Sequence, residues 1–159
     1  MDNRKNIGDH KIVLFSLDEP RYALYLTAVE RVVRAIEITP LPKAPEIVIG
    51  VINFHGEIIP VIDIRKRFLL PSREITLEDR FIIARTSKRL IVLVVDSVTG
   101  VYELEYHQVV DAEKTFPYTD YISGVAKLET NIVLINDLEK FLSLNEEKKI
   151  DEALSRIEK

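Results

Sequence analysis

The 159-residue chain contains no cysteine. This removes disulfides, thiolate metal sites and cysteine nucleophiles, and it suits a reducing cytoplasm. No stretch approaches the roughly 18 consecutive apolar residues of a membrane span, so direct membrane insertion is not expected. The first eleven residues are polar and lack the apolar segment of a secretory signal. Basic residues are not in excess: 22 Lys and Arg stand against 26 Asp and Glu, a net charge of -4. That balance argues against a protein that neutralises nucleic-acid phosphates.

Catalytic signatures are missing too. The five glycines are scattered and form no phosphate-binding loop. There is no GxSxG elbow and no HExxH. His10, His55 and His107 lie far apart and lack metal-ligand spacing, and His107 reads as an exposed turn residue. Neither a catalytic residue, a metal site nor a cofactor is expected. What the chain does have is apolar material: 47% of its residues are hydrophobic and 30% charged, ample for a core and too apolar for disorder.

That material comes in short runs rich in Val, Ile, Leu and Tyr. Strands are predicted at residues 11–17, 22–26, 29–36, 51–54 and 57–62, then at 81–86, 90–95, 98–104, 122–128 and 131–136. Asp18-Glu19-Pro20-Arg21 is a turn between the first two. Residues 39–45 carry three prolines and cannot form a central strand, so they are a stiff, extended connection. Pro60 interrupts an apolar run, which places its strand at an edge or a bulge.

The chain also repeats itself. Gly50 to Ile64 lines up with Gly124 to Leu138, each followed by a charged stretch with an apolar end (65–69 and 139–142), and Leu26-Thr27-Ala28-Val29 lines up with Val95-Asp96-Ser97-Val98. The expected architecture is all-β: a flexible arm over residues 1–10, then two similar lobes over about 11–70 and 80–142, with a polar linker between them. Lobes this small are marginal alone, so a core shared across their interface is expected. Residues 143–159 have Ile150, Ala153, Leu154 and Ile157 at helical spacing, with Ser143 or Asn145 as cap, and read as an amphipathic helix packed on the lobes. Asp63 and Asp137 occupy matching places after strands. As N-caps of short helices they need no chemistry, although a carboxylate pair is what an acid–base enzyme would use. Arg65-Lys66-Arg67 is the one compact basic run, and a solvated helix face is expected for it.

Five phrases in order carry a resemblance. They are Val29-Glu30-Arg31-Val32-Val33-Arg34, residues 38–45, residues 50–65, Val95 to Val101, and Tyr121 to Val125. Together they resemble the CheW-type chemotaxis coupling family over about residues 11–142. The resemblance implies two SH3-like β-barrels and a non-catalytic, cytoplasmic adaptor recruited to membrane-bound receptor arrays. It implies two partners, the regulatory domain of the histidine kinase CheA and the cytoplasmic tip of a methyl-accepting chemotaxis receptor. Val29, Val32, Val98 and Val101 match positions lining a receptor groove, with His55 beside them; ordinary barrel core is the other reading of the valines. Arg31, Gly50, Asn53 and Gly56 match partner-contact positions, and the glycines equally suit tight turns.

Two positions depart from the family pattern. Arginine is usual where this chain has His55, and glutamate where it has Arg31. A reversed charge at a contact discriminates between partners. A scaffold for another chemosensory-like pathway, such as surface motility, is therefore the alternative. A small enzyme and a nucleic-acid-binding barrel are the readings from other classes.

Overall fold

Residues 11–111, 121–128 and 131–157 are described by the structure, a computed structural model. The N-terminal arm, with His10, lies outside them. The apolar runs form β1 (Lys11–Leu17), β2 (Glu19–Tyr25), β3 (Val29–Arg34), β4 (Val48–Phe54) and β5 (Glu57–Ile62). After the short helix α1 (Ile64–Arg67) come β6 (Arg80–Arg85), β7 (Leu90–Val95), β8 (Ser97–Glu103), β9 (Val109–Asp111), β10 (Ile122–Leu128) and β11 (Asn131–Asn136). The long helix α2 (Leu144–Ile157) ends the described chain. The short β9 was not foreseen.

The strands assemble into two sheets in an order that corrects the expected lobe boundaries. One sheet runs β8-β1-β2-β11-β10-β9 and the other β3-β6-β7-β5-β4. The halves 11–70 and 80–142 are thus repeats but not lobes, because each sheet takes strands from both. The chain leaves the first sheet at the 3-10 turn Leu26–Ala28 and returns to it at Asp96, between β7 and β8. These crossovers are the segments that the repeat aligned. Each is fixed by a parallel pair: Ala23 beside Ile135 in one sheet, Val61 beside Val92 in the other. An equivalent bulge precedes Gly50 in β4 and Gly124 in β10.

The apolar faces divide in three. Ile12, Leu14, Ala126, Val133 and Ile135 fill one barrel; Ile52, Ile59, Phe81, Ile83 and Val92 fill the other. The largest cluster lies between them and draws on both sheets: Phe15, Leu24, Val51, Ile62, Ile82, Leu93, Leu138 and Phe141. Each such side chain contributes roughly 1.5–3 kcal/mol on burial. The shared core is therefore present, and α2 closes it with Ile150 and Ala153. Ser143 and Glu146 cap that helix reciprocally, each backbone N–H donating to the other's side chain. Arg89 pairs with Glu147 and Asp151 on its next turns. Packing on the barrels, the expected role of the tail, is what the helix does.

Two local expectations change. Pro60 sits in β5, a central strand, and is buried. It is tolerated because pairing with β7 begins only at Val61, so its missing N–H interrupts no parallel ladder. The Arg65-Lys66-Arg67 run is not a solvated face. Arg65 is 8% exposed, and its guanidinium donates to Asp18 and Asp96, each at 2.9 Å. Arg73 of the linker donates to Asp79 at 2.7 Å and also to Asp96. The Asp18 N–H donates to Asp96 as well, at 2.6 Å. This network ties the β1–β2 turn, α1, the linker and the crossover before β8 into one unit. Hydrogen bonding to Asp18 leads in raising the Arg65 pKa further above its ordinary value. Burial alone would raise Asp96, but the Asp18 N–H and the two guanidiniums outweigh it and hold the carboxyl below the usual range.

Arg65→Ala removes a buried cation from Asp18 and Asp96, although Asp96 keeps Arg73 and the Asp18 N–H, and should cost about 1.5–3 kcal/mol in chemical denaturation. Because Asp96 titrates lower in the folded protein, its contribution is complete above the ordinary aspartate range and is lost as pH falls through its own lower value. Asp96→Asn should therefore lower stability at neutral pH and flatten the acid arm of a stability–pH curve. An unchanged acid arm would count against the network. Separately, a Cβ on Gly50 would stand 2.4 Å from the Thr39 carbonyl oxygen and 2.7 Å from Ile38 Cγ2. Gly50→Ala should cost about 1–3 kcal/mol, read as a lowered thermal midpoint.

Candidate functional site

Two edge strands border the shared core, one from each sheet. In β3, Val32 lies opposite Ile82 and Val29 opposite Ala84 of β6. In β8, Val101 lies opposite Val13 and Val98 opposite Phe15 of β1. Ile82, Ala84 and Phe15 all belong to the shared core, and partners across a ladder project to the same side. Val13 shares a face of β1 with Phe15, two residues on, so all four valines lie on the core-bordering faces of the two strands. Val29 and Val98 pack partly buried against the cluster. Val32 and Val101 stand further out, 38% and 56% exposed. The two readings of these valines thus divide them: two are core margin and two are free apolar surface. A bulge falls at the same point of both strands, after Val29 and after Val98.

A second surface forms at the outer end of the β3-containing barrel. The β4–β5 hairpin turns at His55-Gly56, both at positive φ, 54° and 86°. Successive left-handed residues make a turn whose twist matches the strands, and histidine and glycine tolerate that region better than most residues. Asn53 Oδ1 accepts the Gly56 N–H at 2.9 Å and fixes the turn. Phe54 packs on the core of that barrel. The Arg31 guanidinium lies over the Phe54 ring, 5.6 Å from its centroid, and the His55 ring meets Phe54 edge-on at 4.2 Å. One aromatic ring thus holds two exposed nitrogenous side chains in place.

This arrangement sorts the residues singled out from sequence. Gly50 is buried against Thr39, so it shapes the backbone and is corrected as a contact residue. Asn53 and Gly56 are exposed, but their visible work is to form the turn. Arg31 and His55 keep exposed side chains. His55 joins Arg31 at the barrel end rather than the core-bordering face of the valines. Phe54, which brings these two together, was missed; its position beside His55 was the only available signal. The Arg65 network was missed as well, since nothing local distinguishes a buried arginine from a solvated one.

Asp63 and Asp137 are caps, as expected. Asp63 accepts the Lys66 N–H at 3.3 Å and Asp137 accepts the Glu139 N–H at 3.0 Å. Their own N–H groups donate to Ile47 and Tyr121 at 2.8 Å, again at matching places of the repeat. Among the described residues no hydrogen bond or ion pair joins the two aspartates into one site. His107 is an exposed residue of the 3-10 turn Tyr106–Gln108. Among the described residues no group of three or more His, Cys, Asp or Glu could hold a metal ion. No helix among them is long and apolar enough to cross a membrane. A cavity of about 460 Å³ lies over the Arg65 network, lined by Val48, Ile49, Asp63 and Ile75 among others. One of about 330 Å³ lies at the equivalent place of the repeat, near Asn136, Asp137 and Glu139. Charged groups at both are largely engaged in caps and ion pairs.

Known proteins share this geometry. The family model described as "CheW-like domain" matches residues 11–146. The chemotaxis protein CheW of Treponema pallidum is 29% identical over 153 residues, covering 91% of this chain and 89% of that protein. That of Bacillus subtilis is 32% identical over 129 residues, covering 80% and 83%. The crystal structure of a scaffolding protein, TtCheW from Thermoanaerobacter tengcongensis, superposes with a TM-score of 0.78 at 33% identity, over 86% of this chain and 94% of that one. With the family model covering most of the chain and these relatives matching over most of both lengths, the chain belongs to the CheW-like domain family.

Proposed function

We propose that this chain is a non-catalytic chemotaxis adaptor that bridges the cytoplasmic tip of a methyl-accepting receptor and the histidine kinase CheA. The observation that carries the reading is the presence of two separate exposed surfaces on one rigid core. An adaptor needs two docking faces and no reacting group, and the described chemistry consists of caps and ion pairs. The edge strands with Val32 and Val101 suit a helical receptor tip, because an amphipathic helix docks its apolar side on such a border. The barrel end with Arg31, Phe54 and His55 suits the regulatory domain of CheA, and an aromatic ring flanked by an arginine is a common interface anchor. The place of action is the cytoplasmic side of receptor arrays.

Arg31, where glutamate is usual, favours a dedicated set of partners. A cation reversed at a contact repels the partner of a standard coupler and attracts one with compensating acidic groups. A chemosensory-like pathway other than swimming chemotaxis fits that same observation.

The two surfaces should separate in binding measurements with purified cognate partners. Arg31→Glu should weaken capture of the CheA regulatory domain about tenfold while leaving receptor-tip binding within twofold. Its thermal midpoint should change little, since an exposed cation–π contact is worth roughly 0.5–1 kcal/mol. Val32→Asp and Val101→Asp should do the reverse, losing the receptor tip and keeping the kinase domain. Equal loss of both partners in every variant, or a large stability loss for Arg31→Glu, would make these residues structural.

A further inference from the structure

The repeat supplies an internal comparison at the ends of the two edge strands. Two residues beyond Val32 in β3, Arg34 lies opposite Arg80 of β6. Two residues beyond Val101 in β8, Glu103 lies opposite Lys11 of β1. These are equivalent places, since Val29 aligns with Val98 and the bulges coincide. Opposite charges directly across a ladder are stabilising and like charges are destabilising. One wall therefore carries a complementary pair and the other an uncompensated pair of guanidiniums.

The arginines are not neutralised from within. Arg80 donates to the backbone carbonyls of Glu78 and Asp79, at 2.7 and 3.2 Å. Among the described residues no carboxylate pairs with Arg34 or Arg80, although Glu37 and Glu78 are close in sequence. The nearby Arg85 is different, since it pairs with Glu30 at 2.9 Å. In a chain of net charge -4, two adjacent arginines without an acid are a cost that the same fold avoids on its other wall.

We infer that the β3 wall receives an acidic group of the docked protein segment, a carboxylate held between Arg34 and Arg80 beside the apolar contact at Val32. The inference rests on the reading of this border as the receptor surface, and it adds the chemistry of the occupant: a helical segment apolar along one stripe and bearing Asp or Glu at the end that reaches β3. Planar guanidiniums are suited to carboxylates, and a buried carboxylate between two of them gains charge-assisted hydrogen bonds. On the equivalent wall Glu103 faces Lys11 across the ladder, opposite in sign although not in ion-pair contact, and makes no such demand. The docked segment is thereby oriented, with its acidic end at β3.

The test uses the full chain and a soluble fragment of the cognate receptor's cytoplasmic tip, measured by titration at low and high salt. Arg34→Glu recreates the complementary pair of the other wall. It should raise the thermal midpoint while weakening tip binding about tenfold, with most of the salt dependence lost. Arg34→Ala should fall between. If Arg34→Glu binds the tip like the parent while Val32→Asp does not, the surface is right and the carboxylate contact is wrong. If neither substitution affects tip binding, the receptor surface itself is misassigned. If Arg34→Glu instead abolishes a salt-dependent association with single-stranded nucleic acid, the occupant is a phosphate polymer and the inference is overturned.

Discussion

Everything in this molecule depends on the core between the two sheets. Neither barrel is built from one stretch of chain: β1 and β2 complete the barrel of β8 to β11, and β6 and β7 complete that of β3 to β5. Phe15, Ile82, Leu93 and Phe141 then meet in a single cluster closed by α2. Exchange of hairpins makes the two barrels one folding unit, because separating them would break both the strand ladders and the common core. The two exposed surfaces consequently hold a fixed relation. That is the mechanical property a coupling protein requires.

Polar contacts then make the two equivalent crossovers unlike. At one, Arg65 joins Asp18 and Asp96, and Arg73 straps the linker over them. At the matching place of the other, Glu139 takes the position of Arg65 and accepts from the N–H and hydroxyl of Ser87, each at 2.8 Å. The backbone pattern is the same and the charge is reversed. A repeat can diverge in this way because the shared core carries the fold, leaving the polar positions free to differ. The same freedom produces the unequal walls at Arg34 and Glu103 and the cation on Phe54.

Much of this was legible along the chain. Short runs rich in Val, Ile, Leu and Tyr locate ten of the eleven strands among the described residues, and the matched phrases mark both aspartate caps and the two segments that the fold makes crossovers. The helical stripe at Ile150 and Ala153 was read correctly as a packed face. What sequence could not show was which hairpin pairs with which, since strand order is a long-range property and each run looks alike locally. The burial of Arg65 is invisible locally because its partners lie 31 and 47 residues away. Gly50 looked like a contact because nothing nearby reveals the Thr39 carbonyl above it. Pro60 suggested an edge because the late start of the β7 ladder is invisible in one dimension. The cluster of Arg31, Phe54 and His55 joins β3 to a turn over twenty residues on, which only the fold brings together.

Two independent docking faces on a single core, as proposed, would let the chain hold both partners at once. The most direct measurement is sedimentation of the full chain mixed with the cognate CheA regulatory domain and the receptor-tip fragment together. The account predicts a ternary species containing all three, with each partner's affinity unaffected or improved by the other. Two binary complexes that displace one another, with no ternary species at saturating concentrations, would contradict it.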